Sequence, residues 1–259
     1  MTATDGKVRL AVQGSVAHVT FERPEARNAL SWSMYEQLLD LLPALDPSTG
    51  LRVAVLRGVG GSFISGTDIA HFRNFAGEED GIEYERRLDD VIARVEAVSI
   101  PTLAVIEGYA AGGGLAIAAA CDLRICTPDA RFGAPIARTV GNCLSIANTA
   151  RLVAHLGPAR TKAMLLLAEF IGAVDAKSAG FVLDVVEPSA LDQRIAALCE
   201  RLTAHAPITM QVTKETVRRI VAATAGQGED LVRLAYGSRD FREGVTAFLE
   251  KRPPRFKGE

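Results

Sequence analysis

The fold is decided by a glycine-rich stretch near the middle of the chain, Glu107-Gly-Tyr-Ala-Ala-Gly-Gly-Gly-Leu-Ala116. We interpret it as the end of a strand that runs into a helix opened by Gly112, Gly113 and Gly114. Unpaired N–H groups at a helix N-terminus carry partial positive charge, and glycine lets a ligand oxygen approach that backbone closely. A glycine run can also serve tight packing alone, so the stretch by itself leaves both interpretations open.

A second glycine turn strengthens the interpretation as a binding site. Ser62-Phe-Ile-Ser-Gly-Thr-Asp-Ile69 comes directly after a predicted strand and loop. Two loops that each direct a backbone N–H at one oxygen form an oxyanion hole, and losing one such donor costs roughly 3 kcal/mol of transition-state stabilisation. The two glycine segments together therefore predict a site that polarises a carbonyl group.

The flanking sequence predicts an α/β fold. Gln13-Gly-Ser15 separates two β-rich runs as in a hairpin, and Ser33-Met-Tyr-Glu36 is a capping-box pattern that opens a helix through Leu42. The predicted strands are residues 8–12, 16–21, 51–56, 103–106, 123–126 and 182–186. Because strand and helix alternate up to about Cys126, we expect βαβ units with parallel strands. After Ser145 the chain is predicted to be mostly helical.

The composition excludes several classes of protein. The chain has 259 residues, of which 48% are hydrophobic and 23% charged, and its formal net charge is -2. A disordered chain would be poorer in apolar residues. No basic stripe alternates with aromatic residues, so we expect no nucleic acid partner. The most apolar stretch, residues 103–121, contains Glu107 and four glycines, so we expect no membrane span.

Cysteine usage and the N-terminus indicate a cytoplasmic protein. The four cysteines form neither a C-x-x-C pair nor a zinc-finger spacing with histidine, so we expect reduced thiols and no metal site. Residues 1–7 are polar and lack the apolar core of a signal peptide. The sequence has no G-x-G-x-x-G dinucleotide fingerprint, so we expect no redox cofactor.

Six further segments join the two glycine segments in one recognisable set. They are Arg23-Pro-Glu-Ala-Arg-Asn-Ala-Leu30, Ile100-Pro-Thr102, Cys121-Asp-Leu123, Arg131-Phe-Gly-Ala-Pro135, Ala176-Lys-Ser-Ala-Gly180 and Arg242-Glu-Gly-Val-Thr-Ala-Phe-Leu-Glu-Lys251. With this set, nearly the whole chain resembles the crotonase family, also called the enoyl-CoA hydratase/isomerase family. The resemblance implies a crotonase-like ββα spiral core, placed at residues 1–200, and a C-terminal helical trimerisation region, placed at residues 201–259. It also implies a homotrimer or a dimer of trimers that acts on acyl-CoA, with coenzyme A as part of the substrate.

The resemblance also implies roles for particular residues. The N–H groups of Thr67 and Gly113 would hold the thioester carbonyl. The positions that would line the path of coenzyme A are Arg27, Ala29, Ser65, Asp68, Ile69, Phe248 and Lys251. Phe248 and Lys251 match family positions that meet the coenzyme A phosphates, often from a neighbouring subunit, although Lys251 could instead be a solvated tail charge. We expect Asp68 to cap the following helix rather than to do chemistry.

The chain departs from the family pattern at two positions. Hydratases of the family resemble one another in two glutamates that handle the water, and these positions are occupied here by Ala116 and Ile136. A paired acid and base cannot be built from alanine and isoleucine, so we do not expect ordinary two-glutamate hydration. The single-glutamate isomerases of the family use the second position, so isomerisation by that route is not expected either.

The loop at residues 137–145 offers further candidates. Gly141-Asn142-Cys143 resembles a Gly-Asn-Asp segment of the 4-chlorobenzoyl-CoA dehalogenase branch, where the aspartate is the nucleophile. Cys143 would need a lowered pKa to act in this way, which a helix start near Ser145 or the cation of Arg138 could supply. It could instead be a small buried thiol that fills space. Arg138 could instead bind a carboxylate on the acyl group or form a surface ion pair.

Three more titratable residues flank the predicted site. His71 could act as an acid or base, or be a partly buried residue of a helix face. Glu85 and Asp89 lie four apart on one predicted helix face, and in the family this helix can border the acyl pocket. We expect a solvated face instead, because Arg86 and Arg87 lie beside them.

The sequence therefore predicts an acyl-CoA-processing enzyme, a CoA-thioester lyase or isomerase whose oxyanion hole polarises the thioester carbonyl. Two different functions stay open beside it. One is that of an acyl-CoA-binding homologue with little catalysis, and the second is that of a thioester hydrolase or dehalogenase-like enzyme that uses Cys143.

Overall fold

The computed structural model describes residues 5–258, so residues 1–4 of the polar N-terminus lie outside the described residues. The strands are β1 (Lys7–Gln13), β2 (Val16–Glu22), β3 (Val53–Gly58), β4 (Thr102–Ile106), β5 (Tyr109–Ala111), β6 (Leu123–Cys126), β7 (Arg131–Gly133), β8 (Ile171–Gly172) and β9 (Asp184–Val185). The helices are α1 (Trp32–Leu41), α2 (Glu78–Glu96), α3 (Gly113–Ala120), α4 (Ile146–Leu166), α5 (Ala173–Ser178), α6 (Leu191–Thr203), α7 (Pro207–Ala222), α8 (Glu229–Gly237) and α9 (Arg239–Leu249).

A six-stranded sheet carries the fold, in the order β1-β2-β3-β4-β6-β9. β1 and β2 form the predicted antiparallel hairpin. The later neighbours in this sheet pair in parallel, as the alternation of strand and helix predicts. Three short strands form a second sheet in the order β5-β7-β8. The predicted α/β class and the parallel core are therefore confirmed.

The central strands are apolar on both faces because each face packs against a core. Val55 and Val105 belong to a smaller core that includes residues of α6. Leu56 and Ile106 belong to the larger core on the opposite face, since successive strand residues alternate in direction. Helix α3 lies in the larger core, and all eight of its residues are buried.

Two local predictions need correction. Helix α1 begins at Trp32 and is capped by Ser31, whose hydroxyl accepts a hydrogen bond from the Met34 N–H at 3.2 Å. The predicted cap, Ser33, lies inside the helix, where its hydroxyl accepts a bond from Gln37. The predicted strand at residues 182–186 is limited to β9, because only two of its residues pair with β6.

The C-terminal segment is helical, as predicted. Helix α6 runs across the boundary predicted at residue 200, and α8 packs against α2 of the core. Helix α7 has no buried residue and is tied to the core where Lys214 donates to the carboxylate of Asp122. Asp122 also accepts the Thr102 N–H at 2.7 Å, so its carboxylate has a structural role. Trimerisation through this region stays a prediction.

Candidate active site

A cavity of about 510 Å³ lies where the two glycine segments meet. Larger grooves, of about 760 and 670 Å³, adjoin the C-terminal tail and α6, but neither contains a glycine segment of the predicted site. The predicted site residues that line the 510 Å³ cavity are Arg27, Ala29, Ser65, Thr67, Asp68, Ile69, Gly113, Cys143 and Phe248. Arg138 and Lys251 are exposed and lie outside this lining.

The loop at residues 27–29 forms one edge of the cavity. Arg27 and Asn28 both adopt left-handed backbone conformations, with φ of 49° and 57°. Asparagine tolerates this region better than most residues, and its side chain holds the turn here. The Asn28 amide donates to the carbonyls of Val59 and Ser62 at 2.8 and 2.7 Å and accepts the Arg23 N–H at 2.8 Å. The loop is therefore fixed to the chain that leads into the second glycine segment.

Backbone hydrogen bonds hold the two glycine segments side by side. The Ile64 N–H donates to the Tyr109 carbonyl at 2.9 Å, and the Ala111 N–H donates to the Ile64 carbonyl at 3.0 Å. Gly112 has φ of 50°, which favours glycine, and bends the chain from β5 into α3. A methyl group at Gly114 would collide with the backbone of Ile64, so this glycine permits the close approach.

Two N–H groups beside the cavity have no acceptor within residues 5–258. Leu30 donates to the Gly66 carbonyl and accepts the Asp68 N–H, so the intervening N–H of Thr67 points away from this bridge. The N–H of Gly113 belongs to the first residue of α3 and has no partner inside the helix. Both residues line the cavity, and neither N–H is taken up by another group of residues 5–258.

The hydroxyl of Thr67 is held by two buried phenols. Tyr35 Oη lies 2.8 Å from Thr67 Oγ1, and Tyr84 Oη donates to the same oxygen at 3.4 Å. Burial raises the pKa of Tyr35 and of Tyr84 well above the ordinary value, so both phenols stay protonated. These bonds fix the Thr67 side chain beside Gly113.

Asp68 plays the capping role expected of it. Its carboxylate accepts the Ala70 N–H at 3.0 Å at the start of the 3₁₀ helix Ile69–Asn74. It also pairs with the buried guanidinium of Arg23 at 2.9 Å. Burial pushes the pKa of Asp68 upward, but the Ala70 N–H and Arg23 outweigh it and lower the pKa below the ordinary value. Asp68 is therefore a weak proton acceptor near neutral pH.

Cys143 does not have the lowered pKa that a nucleophilic role would need, and its surroundings fit the alternative of a small buried thiol. Its thiol lines the cavity, but burial raises its pKa to about 12, and the charge of Glu85 adds to the shift. Arg138, the cation that could have lowered this pKa, is exposed at the end of the 3₁₀ turn Ile136–Arg138 and lies outside the cavity lining. The surroundings of Cys143 therefore favour the thiol over the nucleophilic thiolate.

The solvated face expected for Glu85 is also wrong. Glu85 is only 3% exposed and lines the cavity, whereas its neighbours Arg86 and Arg87 are exposed. One carboxylate oxygen accepts a 2.6 Å hydrogen bond from Tyr236 Oη, and the second oxygen accepts the Ser145 N–H at 3.1 Å. The structure thus brings into the cavity a buried carboxyl group that the neighbouring arginines had led us to expect on a solvated face.

Burial governs the protonation of Glu85. It raises the pKa of Glu85 to about 8, and the nearby charge of Asp89 adds to the shift. The hydrogen bonds from Tyr236 and Ser145 favour the carboxylate and oppose the rise. Asp89 lies outside the cavity lining, and burial raises its pKa as well. Its carboxylate accepts hydrogen bonds from Ser145 Oγ at 2.6 Å and from the Asn148 amide at 2.9 Å.

The helical spacing of α2 contains the signal that could have found Glu85. Ile82 and Leu88 are buried, and Glu85 lies three residues from each, in the middle of the apolar stripe. Tyr236 gives no such signal, because it comes from a distant helix. His71 packs its ring 5.9 Å from that of Trp32 and lies outside the cavity lining, so its acid-base role finds no support.

Comparison with known proteins identifies the family of this site. The family model for enoyl-CoA hydratase/isomerase matches residues 11–259. The chain belongs to the enoyl-CoA hydratase/isomerase family. Among its relatives, (E)-benzylidenesuccinyl-CoA hydratase of Thauera aromatica is 36% identical over 262 residues, covering 97% of this chain and 99% of that protein. The 2,3-dehydroadipyl-CoA hydratase of Escherichia coli (strain K12) is 34% identical over 251 residues, covering 95% of this chain and 96% of that protein.

A solved structure of the enoyl-CoA hydratase/isomerase fold adds a different chemistry. Methylmalonyl-CoA decarboxylase in complex with 2-nitronate-propionyl-CoA has a TM-score of 0.89 and 26% identity, covering 97% of this chain and 98% of that one. The crotonase fold and the acyl-CoA-processing character predicted from sequence are therefore confirmed. Within residues 5–258, none of the helices combines the length and apolarity needed to cross a membrane.

Proposed function

We propose that this enzyme holds the carbonyl of an acyl-CoA thioester between the N–H groups of Thr67 and Gly113 and carries its reaction through the thioester enolate. The observation that carries the proposal is the pair of unpartnered N–H groups on one cavity. Preorganised donors of this kind stabilise the charge that develops on an oxygen, in a setting where water is largely excluded. Each of the two glycine segments would then supply one N–H group to the same carbonyl oxygen.

The remaining lining suits a coenzyme A thioester. Arg27 is exposed at the cavity edge, with its guanidinium 5.7 Å from the centre of the Tyr109 ring. A cation and an aromatic face together fit a phosphorylated nucleotide. Phe248 lines the same cavity from α9. The lining also includes aliphatic side chains of Leu88, Ile136, Val140 and Leu144, which favour an apolar acyl group.

Reversible hydration of a 2-enoyl-CoA is the first candidate reaction. The relatives that are 36% and 34% identical are hydratases of enoyl-CoA thioesters, and they match this chain over almost its full length. Hydration passes through an enolate that the two N–H groups would hold. Because Ala116 and Ile136 occupy the positions of the family's two glutamates, this hydration would need a different proton carrier.

Decarboxylation of a malonyl-type CoA thioester is the second candidate. When carbon dioxide leaves, the electron pair of the broken carbon–carbon bond enters the enolate, so the first step needs no base. Alanine and isoleucine at positions 116 and 136 are compatible with such a reaction. The likeness to methylmalonyl-CoA decarboxylase, with a TM-score of 0.89, specifically favours it.

Covalent catalysis and binding without catalysis both have less support. A covalent hydrolase or dehalogenase needs the thiolate of Cys143, and burial favours the thiol. A protein that only binds acyl-CoA has no use for a buried carboxyl group of raised pKa in the same cavity. Each of these two functions gives a distinct result when the reaction products are identified.

The proposed assembly is a homotrimer or a dimer of trimers. Helix α7 carries large apolar side chains that are more than half exposed, and a partner subunit could cover them. They are Ile208, Val212, Val217 and Ile220. Lys251 lies just beyond α9, outside the cavity of its own chain, so its contact with coenzyme A would be made in a neighbouring subunit.

A product survey tests the proposed function. The protein is incubated with enoyl, 3-hydroxyacyl, malonyl-type and aryl CoA thioesters, and the products are identified by mass spectrometry. Gain or loss of water supports hydration, and loss of carbon dioxide from an intact thioester supports decarboxylation. Release of free coenzyme A as the sole reaction would overturn the enolate proposal. Saturable binding without turnover of any thioester would overturn it in favour of a binding protein.

A further inference from the structure

We propose that Glu85 is the catalytic carboxyl group of this enzyme and moves the proton to and from the α carbon of the enolate, with Tyr236 as its positioning residue. The proposal rests on the proposed function, since the enolate is the species that exchanges the proton. It supplies the proton carrier that Ala116 and Ile136 cannot provide.

The first support is the place of Glu85 in the cavity. The carboxyl groups that line it belong to Glu85 and Asp68. Asp68 is occupied by the Arg23 guanidinium and the Ala70 N–H, so it is held as a weakly basic carboxylate. Glu85 is the lining carboxyl group with a proton to exchange near neutral pH.

The second support is that Glu85 is buried without a cation. Within residues 5–258, no Lys, Arg or His side chain lies at ion-pair distance from its carboxyl group. Its two oxygens are held instead by neutral donors, the phenol of Tyr236 and the N–H of Ser145. An unpaired buried carboxyl group costs folding free energy, and such groups cluster at sites where a shifted pKa is used.

The groups that face Glu85 from the neighbouring elements hold their protons more firmly than usual. They are Tyr35 of α1, Tyr84 and Asp89 of α2, Cys143 of the loop before α4, and Tyr236 of α8. Burial raises the pKa of each of these groups, so at neutral pH the phenols and the thiol are uncharged. Compared with these neighbours, Glu85 is the cavity-lining group whose protonation changes near pH 8.

In hydration, a single carboxyl group suffices. The Glu85 carboxylate takes one proton from a water molecule while the water oxygen bonds to the β carbon, and the electron pair of the double bond moves into the enolate. Glu85 then gives that same proton to the α carbon, and the thioester carbonyl is restored. The net change is addition of one water, and Glu85 returns to the carboxylate.

In decarboxylation, Glu85 acts only in the second half. The bond between the α carbon and the carboxylate breaks, carbon dioxide leaves, and the electron pair enters the enolate. Protonated Glu85 gives its proton to the α carbon, and solvent then reprotonates the carboxylate. Hydration therefore requires the carboxylate at the start of a turnover, and decarboxylation requires the acid.

Tyr236 sets both the position and the pKa of Glu85. Its phenol donates to Glu85 at 2.6 Å and accepts a bond from the Asn142 amide at 3.2 Å, so it is fixed from two sides. The bond stabilises the carboxylate and lowers the pKa that burial raises. Removing the phenol hydroxyl alone should move the pKa of Glu85 to a higher value.

The experiment measures kcat/KM against pH with the thioester that the wild-type protein turns over. We compare the wild type with Glu85→Gln, Tyr236→Phe and a control, Glu83→Gln, whose carboxylate is exposed on α2 and pairs with Arg86. We expect an ionisation near pH 8 in the wild type and in Glu83→Gln. Glu85→Gln should lower kcat at least 100-fold and lose this ionisation. Tyr236→Phe should keep it and shift it to higher pH.

Several outcomes separate the two proposals. Turnover of no thioester by the wild type would overturn the proposed function. A wild type that turns over, together with a folded Glu85→Gln protein within threefold of its kcat, would overturn only the role of Glu85. If Glu85→Gln fails to fold, the folded Tyr236→Phe protein tests the role of Glu85 instead. An unshifted pH profile in that protein would overturn the role, because a phenol that is merely structural changes the stability of the protein and leaves the ionisation where it was.

Discussion

The phenol of Tyr236 donates a 2.6 Å hydrogen bond to the carboxyl group of Glu85, although 151 positions separate the two residues in the chain. The bond joins α8, in the C-terminal helical segment, to α2 beside the cavity. Both side chains are buried, so water does not compete for the bond. The C-terminal helices therefore take part in the electrostatics of the candidate active site.

The raised pKa of Glu85 predicts how stability depends on pH. The ordinary pKa of 4.5 applies to the unfolded chain, and burial raises it to about 8 in the folded protein. Between these values the folded state binds one more proton at Glu85, so this group makes stability fall as the pH rises. We expect Glu85→Gln to become progressively more stable relative to the wild type from pH 5 to pH 8, by up to about 1.4 kcal/mol per pH unit.

Urea unfolding of both proteins at intervals of one pH unit measures this difference. Glu83→Gln serves as the control, because it makes the same substitution at an exposed carboxylate of the same helix. Parallel stability curves for wild type and Glu85→Gln would show that the carboxyl group titrates normally in the folded state.

The N–H of Gly113 can be removed cleanly only if room is made for a β carbon. A β carbon at Gly113 would collide with Tyr35 Oη and Thr67 Oγ1, so a simple substitution mixes two effects. We therefore compare Gly113→Ala with Gly113→Pro, each combined with Tyr35→Phe. Both carry the β carbon, but only proline lacks the N–H, and proline is tolerated at the first residue of a helix.

We expect the proline variant to have a kcat about 100-fold to 1000-fold below that of the alanine variant, as for the loss of one oxyanion donor. Circular dichroism and the binding of coenzyme A check that both double variants are folded. Equal kcat values in two folded proteins would exclude the Gly113 N–H from transition-state stabilisation.

Cys143 should be dispensable for the chemical step. Burial holds its pKa at about 12, so the thiolate is scarce near neutral pH. We predict that Cys143→Ala retains kcat within about threefold and that the wild type forms no covalent acyl intermediate. Steady-state kinetics measures the first, and rapid quenching followed by intact-protein mass spectrometry measures the second. An acyl adduct on Cys143, or a loss of several orders of magnitude, would contradict the prediction.

Arg27 should contribute to the affinity for the nucleotide end of the substrate. We expect Arg27→Ala to raise KM for an acyl-CoA by about five- to tenfold, equivalent to about 1 to 1.4 kcal/mol. It should leave KM unchanged for the matching N-acetylcysteamine thioester, which lacks the nucleotide. Arg138→Ala is the matched control, because Arg138 is an exposed arginine outside the cavity lining. Equal effects of Arg27→Ala on both substrates would contradict the assigned contact.

The fold could be predicted because local signals and packing agree. Alternating strands and helices specified the parallel sheet. The error at the start of α1 arose because Ser31 and Ser33 are chemically equivalent caps, and packing chose between them. The glycine segments were also predictable, because backbone conformations and close contacts that require glycine appear in the sequence as glycine residues.

The proton-handling part of the site could not be predicted in the same way. The arginines beside Glu85 suggested a solvated face, whereas the burial of Glu85 depends on α8 closing over α2. The spacing of α2 places Glu85 in the apolar stripe of its own helix, but its contact with Tyr236 of α8 joins residues too far apart in sequence to leave a periodic pattern. Cys143 shows the same limit, because only its three-dimensional surroundings determine whether the helix start or the burial dominates its pKa.

The location of deuterium after turnover in D2O tests the central claim most directly. The wild type converts its thioester in D2O, and the product is analysed by NMR and mass spectrometry. If an enolate held by Thr67 and Gly113 receives its proton from Glu85, the product is an intact thioester with one deuterium on the α carbon. A product without α-deuterium, or free coenzyme A and an unlabelled acid, would contradict the account.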